Sequence, residues 1–177
     1  LESFTALSRK KTPQEITEVL NPYLETVAGC IQAESGHVNK FIGDAVMGIF
    51  GAQPGDEASD PALYAIQAVR AALKIPKAWS EKAEKLHLPA LRVRIGINSG
   101  RAVVGNIGYS ARLEYSVLGD VVNIASRFEK LAAPNRAAVS EATKDLTGAH
   151  FEYEDLGERE VKGVGKLKAY SPVRATD

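Results

Sequence analysis

The sequence predicts a mixed α/β (α+β) domain with a ferredoxin-like βαββαβ core and a C-terminal α/β extension. The first observation is an amphipathic helical stretch followed by two short apolar runs on either side of a Gly-Asp turn. The second is a longer helical stretch that leads into a further apolar strand. With one strand placed upstream of residue 1, this order becomes βαββαβ, so we expect the first strand of the core to lie outside these 177 residues.

The two helices of this core carry recognisable boundary signals. Thr12 can cap the first helix and Glu15 completes a capping box with it. Apolar residues then recur at helical spacing as far as Gly36. The second helix is predicted over residues 62–85, with Pro76 expected to kink or break it.

The remaining elements are short and are separated by glycine, proline and polar residues. The predicted strands cover residues 37–41, 45–50, 91–99, 102–104, 113–118, 151–156 and 167–173. Two further helices are predicted over residues 121–132 and 140–147, the last capped by Ser140. No internal repeat, low-complexity tract or linker interrupts this pattern, so we expect a single domain over residues 1–177.

Composition and charge narrow the possible function classes. Apolar residues make up 45% of the chain and charged residues 25%, as in ordinary globular domains. Because 22 Lys plus Arg balance 22 Asp plus Glu, nothing favours binding to nucleic acid or to a membrane surface, and we expect neither partner. Cys30 is the single cysteine and cannot form an internal disulfide.

The predicted hairpin carries two polar side chains that could bind a nucleotide. Asp44 follows Gly43 in the turn, where a carboxylate can hold Mg²⁺ together with waters and substrate phosphates. If Phe41 is buried, Lys40 and Ile42 share the opposite face of the strand, and the lysine can hydrogen-bond a purine nitrogen. A plain turn aspartate and a solvated strand lysine explain the same residues.

The predicted helix over residues 121–132 carries a second polar pair. Asn123 and Arg127 lie four residues apart and therefore share a face. The planar fork of Arg127 suits phosphate, and Asn123 can orient a ribose. Arg94 and Lys162 are further cations that could reach a phosphate. An exposed polar helix face and two surface cations are the alternative interpretation.

Five motifs, taken in their order and spacing, resemble the catalytic domain of class III adenylyl cyclases. They are LESFT at residues 1–5, KFIGD at 40–44, RIGI at 94–97, GDVVNIASR at 119–127 and VKG at 161–163. The resemblance covers nearly the whole chain and implies the class III cyclase fold. The first motif departs from the family pattern, because its opening aspartate would fall immediately before Leu1.

The resemblance implies a metal and phosphate half of an active site. Asp44 would be one of two metal-binding aspartates, and backbone atoms of Leu1 and Ile42 would lie near two divalent ions, Mg²⁺ or Mn²⁺. The phosphates would be bound by the backbone N–H groups of Phe4 and Thr5 and by the side chains of Arg94 and Lys162.

The resemblance also implies a purine and transition-state half. Lys40 would recognise adenine, Asn123 would orient the ribose, and Arg127 would stabilise charge on the α-phosphoryl group. The position that pairs with this lysine in purine recognition comes directly after Tyr115 and holds Ser116. Its hydroxyl can accept from the adenine amino group or donate. This combination looks like the lysine–threonine subgroup, some of whose members respond to bicarbonate, so regulation by bicarbonate is a further hypothesis.

The implied reaction is attack of the ribose 3′-OH of ATP on its α-phosphorus, which gives cyclic AMP and pyrophosphate. Because the metal carboxylates and the purine-binding residues of this family come from different protomers, the resemblance implies a homodimer with two shared sites. The use of ATP leads us to expect a cytoplasmic location. Two other functions stay open: a guanylyl cyclase, and a catalytically silent module for nucleotide binding or dimerisation.

Overall fold

A computed structural model describes residues 1–51, 60–109, 112–161 and 163–176, apart from the side chains at 109 and 112–114. Helices and strands alternate along these ranges. In chain order they are α1 (Phe4–Ser8), α2 (Pro13–Ala33), β1 (His37–Ile42), β2 (Ala45–Ile49), α3 (Pro61–Lys85), β3 (Arg94–Ile97), β4 (Val103–Tyr109), β5 (Arg112–Leu118), α4 (Asp120–Leu131), β6 (Arg136–Ser140), α5 (Glu141–Thr147), β7 (Phe151–Val161) and β8 (Gly165–Ala175).

The strands form one larger mixed sheet and two separate hairpins. The larger sheet has the order β3-β6-β8-β7. β3 runs parallel to β6, with Arg94 opposite Arg136, while β8 is antiparallel to both of its neighbours. β1 pairs only with β2, and β4 only with β5, within the described ranges. The mixed α+β architecture predicted from the sequence is therefore confirmed.

The local signals for helix and turn boundaries are confirmed. The Thr12 side chain accepts from the backbone of Glu15, and the Glu15 side chain accepts from the backbone of Thr12, so the capping box is complete. The turn between β1 and β2 falls at Gly43, which has a φ of 61°. Ser140 caps α5 through the backbone N–H of Thr143.

Other sequence predictions are wrong in detail. β6 was not predicted, because its short Ala-rich run is buried along nearly its whole length and shows no alternation. α3 continues through Pro76 and was not broken by it. Phe41 is 52% exposed in a single chain, so the condition under which Lys40 and Ile42 would share the face opposite a buried Phe41 is not met there. β3 is shorter than residues 91–99, whereas β7 and β8 are longer than predicted.

The core that supports the first half of the chain lies between α2 and α3. Tyr23 of α2 meets Trp79 of α3 edge to face, with ring centroids 5.3 Å apart. Trp79 is 1% exposed, and its indole N–H donates to the carbonyl of Leu91 at 2.9 Å. This bond ties the long helix to the segment that enters β3. In the part of the chain that the structure describes, no helix is long and apolar enough to cross a membrane.

Candidate active site

The tip of the β1–β2 hairpin lies against the first residue of the chain. The main-chain nitrogen of Leu1 donates to Oδ2 of Asp44 at 2.6 Å, and the aspartate side chain remains 29% exposed. Ile42 precedes this turn and is 60% exposed. The three residues predicted for the metal site therefore lie together at one accessible corner of the molecule.

The predicted phosphate-binding segment is tied to β3 by a charged pair. The backbone N–H of Glu2 donates to the carbonyl of Arg92 at 2.8 Å. The Glu2 carboxylate accepts from Nη2 of Arg94 at 2.8 Å and lies 2.7 Å from Nε of Arg92. These contacts fix Glu2 beside Arg94, and α1, with Phe4 and Thr5 in its first turn, begins two residues after Glu2. Because one carboxylate faces two guanidinium groups, this cluster keeps a net positive charge that suits a phosphate.

The two residues predicted to recognise the purine lie on strands that contact each other. Nδ2 of Asn39 in β1 donates to the carbonyl of Tyr115 in β5 at 2.8 Å. The His37 and Tyr115 rings meet edge to face, with centroids 6.4 Å apart. Lys40 directly follows the asparagine and Ser116 directly follows the tyrosine, and this serine is only 7% exposed.

Helix α4 rests directly on β3. A Cβ atom at Gly96 would lie 2.2 Å from the carbonyl oxygen of Ala125 and 2.2 Å from the backbone nitrogen of Glu129, so no side chain fits there. Asn123 and Arg127 are each two residues from these contact positions, which is about 200° around a helix. Both predicted site residues therefore point away from the sheet.

Arg127 lies beside the turn that joins β7 and β8. A Cβ atom at Gly163 would stand 3.5 Å from Nη1 of Arg127, and Gly163 has a φ of 75°. Asn123 is exposed, whereas Arg127 is half-buried. Lys162 lies outside the described residues, so its predicted contact with phosphate stays a prediction.

The pKa of the buried Tyr23 is affected by charges on both α4 and the hairpin tip. Tyr23 is 4% exposed. Burial, and after it the negative charges of Asp44 and Glu129, raise the pKa of its hydroxyl above the ordinary value. The Tyr23 hydroxyl therefore stays neutral.

The family of the chain follows from its sequence taken together with this geometry. Residues 1–172 match the model of the adenylate and guanylate cyclase catalytic domain. The chain belongs to this family. An adenylate cyclase of Anabaena cylindrica is 37% identical to the cyclase domain over 132 residues, which cover 74% of this chain and 26% of that protein. The chain thus spans about a quarter of the length of that relative.

Solved structures show the same fold in cyclases of both kinds. The adenylyl cyclase CyaB of P. aeruginosa aligns with a TM-score of 0.89 at 28% identity, covering 99% of this chain and 90% of that one. The guanylate cyclase domain of RhGC from Catenaria anguillulae, solved in complex with GTP, aligns with a TM-score of 0.86 at 26% identity. That alignment covers 99% of this chain and 92% of the other. The fold is therefore that of class III cyclases, and it is common to enzymes named for either purine.

Sequence reasoning missed three polar side chains that hold the elements of this cyclase domain together. Glu2 pairs with the arginines that flank the start of β3, and Asn39 crosses from β1 to β5. Asn98 donates from Nδ2 to the carbonyl of Val121 at 3.1 Å, which ties the end of β3 to the first turn of α4. No periodicity or spacing in the sequence signals such contacts, because each joins segments far apart along the chain.

Proposed function

We propose that this cyclase domain converts ATP to 3′,5′-cyclic AMP and pyrophosphate. The combination of Lys40 with Ser116 supports ATP most directly, and the hydrogen bond from Asn39 to Tyr115 joins the two strands that carry them. The adenine edge offers a ring-nitrogen acceptor beside an amino donor. An ammonium group can donate to the first and a hydroxyl can accept from the second. Guanine presents a donor and an acceptor in the reverse order.

In the proposed reaction the protein binds and orients the nucleotide and stabilises charge. Arg127 stabilises the α-phosphoryl group as the ribose 3′-oxygen attacks and the bond to pyrophosphate breaks. Asn123 orients the ribose. The terminal phosphates bind to Arg94, to Lys162 and to the backbone N–H groups of Phe4 and Thr5. The net positive charge around Glu2 supports this assignment of the phosphates.

Two divalent ions, Mg²⁺ or Mn²⁺, belong to the proposal. Asp44 offers an accessible carboxylate, and the backbone of Leu1 and Ile42 lies at the same corner, so the donors fit hard cations. No group of three His, Cys, Asp or Glu side chains among the described residues could hold a metal ion alone. Nucleotide phosphates and an aspartate upstream of Leu1 would complete the set. When bound, such ions neutralise the leaving phosphate and acidify the attacking hydroxyl.

We further propose a homodimer with two shared active sites. Several apolar side chains near the site are exposed in a single chain, which supports an interface there. These residues are Phe41 at 52%, Ile42 at 60%, Val103 at 70% and Leu118 at 55% exposure. In the proposed dimer Asp44 of one protomer faces Asn123 and Arg127 of the other.

A product assay tests this function. The full-length gene product is incubated with ATP or GTP and with Mg²⁺ or Mn²⁺, and cyclic nucleotides are quantified. We expect cyclic AMP as the main product. Preferential formation of cyclic GMP would support a guanylyl cyclase instead. A dimer that yields no cyclic nucleotide under any of these conditions would support the silent module. Regulation by bicarbonate stays a prediction, which constant activity across added bicarbonate at fixed pH would contradict.

A further inference from the structure

Asn39 occupies the point at which β1 loses its regular pairing with β2. Val38 lies opposite Gly48 and Lys40 lies opposite Met47, so the register shifts across the asparagine. An irregularity of this kind turns a side chain out of the alternation between the two faces of a strand. The side chain of Asn39 is thereby free to reach a neighbouring element.

The element that it reaches is the edge of the other hairpin. Nδ2 of Asn39 donates to the carbonyl of Tyr115 at 2.8 Å. Tyr115 pairs with Asn106 of β4 across the β4–β5 ladder. Within the described ranges no strand ladder joins β1 to β5, because the two hairpins are separate two-stranded sheets. This side-chain bond and the edge contact between His37 and Tyr115 join the two hairpins where no ladder does.

The other end of the same amide is buried without a partner. Oδ1 of Asn39 is inaccessible to solvent and accepts no hydrogen bond from the residues that the structure describes. Such an acceptor is costly to bury. An apolar side chain of the same size would fill the space without that cost, so packing alone does not explain an asparagine here. The function of the residue lies in its donor end.

We infer that Asn39 is a positioning residue that determines the preference of this site for adenine over guanine. To contact a ring nitrogen and the neighbouring amino group of one adenine together, the Lys40 ammonium and the Ser116 hydroxyl must lie a fixed distance apart. A lysine side chain is flexible, so the backbone on either side has to define that distance. The bond from Asn39 to Tyr115 joins the two strands one residue before Lys40 and one residue before Ser116. The inference rests on the proposed function.

The test measures kcat/KM for ATP and for GTP in the full-length protein and two variants. Asn39→Asp keeps the shape but replaces the donor with an oxygen that faces the Tyr115 carbonyl, and Asn39→Leu removes both polar ends. We expect the ATP-to-GTP ratio of kcat/KM to fall about tenfold in each, the effect of one lost hydrogen bond, mainly through the KM for ATP. Asn106→Asp is the matched control, because Asn106 is exposed and lies opposite Tyr115 on β4. Its ratio should not change.

The outcomes separate this inference from the proposed function. If the unsubstituted protein forms no cyclic nucleotide, the proposed function fails and the inference falls with it. If the unsubstituted protein prefers ATP and a folded Asn39 variant keeps the same ratio, only the inference is overturned. Thermal unfolding and the dimer fraction are measured for each variant. Should Asn39→Asp unfold, the ratio for Asn39→Leu decides.

Discussion

Gly96 and Glu129 define the closest approach of β3 to α4: a Cβ atom on the glycine would lie 2.2 Å from the backbone nitrogen of the glutamate. The helix is therefore seated on the strand backbone itself. Since α4 carries Asn123 and Arg127, the absence of a side chain at position 96 decides where both proposed site residues stand. This relationship connects the stability of the domain to its activity.

Replacing Gly96 with alanine should lower both the stability of the domain and its activity. We expect a loss of about 1–3 kcal/mol in the free energy of unfolding from overpacking, and a fall in kcat as α4 is displaced. Gly29→Ala is the matched control, because Gly29 is exposed within α2 and a Cβ there meets nothing within 4 Å. That change should stabilise the protein by about 0.4–1 kcal/mol. Urea unfolding of both variants checks the prediction, and equal stabilities would contradict it.

Shared active sites predict that two inactive variants restore each other. Asp44→Asn and Arg127→Ala should each lower kcat at least about 100-fold, because each removes a charge that acts on the reacting phosphates. After mixing and re-association, half of the dimers are mixed and hold one intact site, so roughly a quarter of the original activity should return. Lys130→Ala, at an exposed position of the same helix, should leave kcat unchanged. Mixtures that remain as inactive as their components would contradict the shared site.

Lys40 should control which purine is used. Lys40→Glu places an acceptor where the lysine donates, so kcat/KM for ATP should fall and the GTP-to-ATP ratio should rise by about 100-fold, because one hydrogen bond to the purine is reversed. Lys40→Met separates loss of the ammonium group from reversal of its charge. We expect it to weaken ATP use without improving GTP use. Initial rates with both nucleotides measure this, and an unchanged ratio in Lys40→Glu would remove Lys40 from purine recognition.

The capping box of α2 should make stability depend on pH in the acid range. Hydrogen bonds from Lys11, and next from Thr12, lower the pKa of Glu15 from 4.5 to about 2. A lowered pKa means that the ionised form stabilises the folded state above pH 4.5, and that this stabilisation is lost as the pH falls from 4.5 to about 2. The stability gap between the unsubstituted protein and Glu15→Gln should therefore close over that window.

Urea unfolding across that pH range gives the measurement. Glu18→Gln makes the same exchange at an exposed position of α2 and corrects for the general loss of a negative charge. A gap for Glu15→Gln that stays constant between pH 4.5 and pH 2 would show that the carboxylate does not stabilise the helix start.

Signals confined to a few neighbouring residues were predicted well. Thr12 and Glu15 form the expected capping box, and Gly43 takes the left-handed turn that its place between two apolar runs predicts. The cyclase motifs were also recognised correctly, since their order along the chain is itself sequence information. β6 escaped prediction because a strand buried on both faces shows no alternation.

The sequence by itself thus determined the start of α2, the turn at Gly43 and the family, because each depends on residue types at fixed local spacing. Only the tertiary structure decided that Asn39 leaves its strand to bind Tyr115, that Glu2 holds Arg94, and which face of α4 meets β3. The first two of these contacts join residues that lie 76 and 92 positions apart along the chain. Such distances carry no periodic signal, and the partner of each polar side chain is chosen by how the hairpins and helices pack.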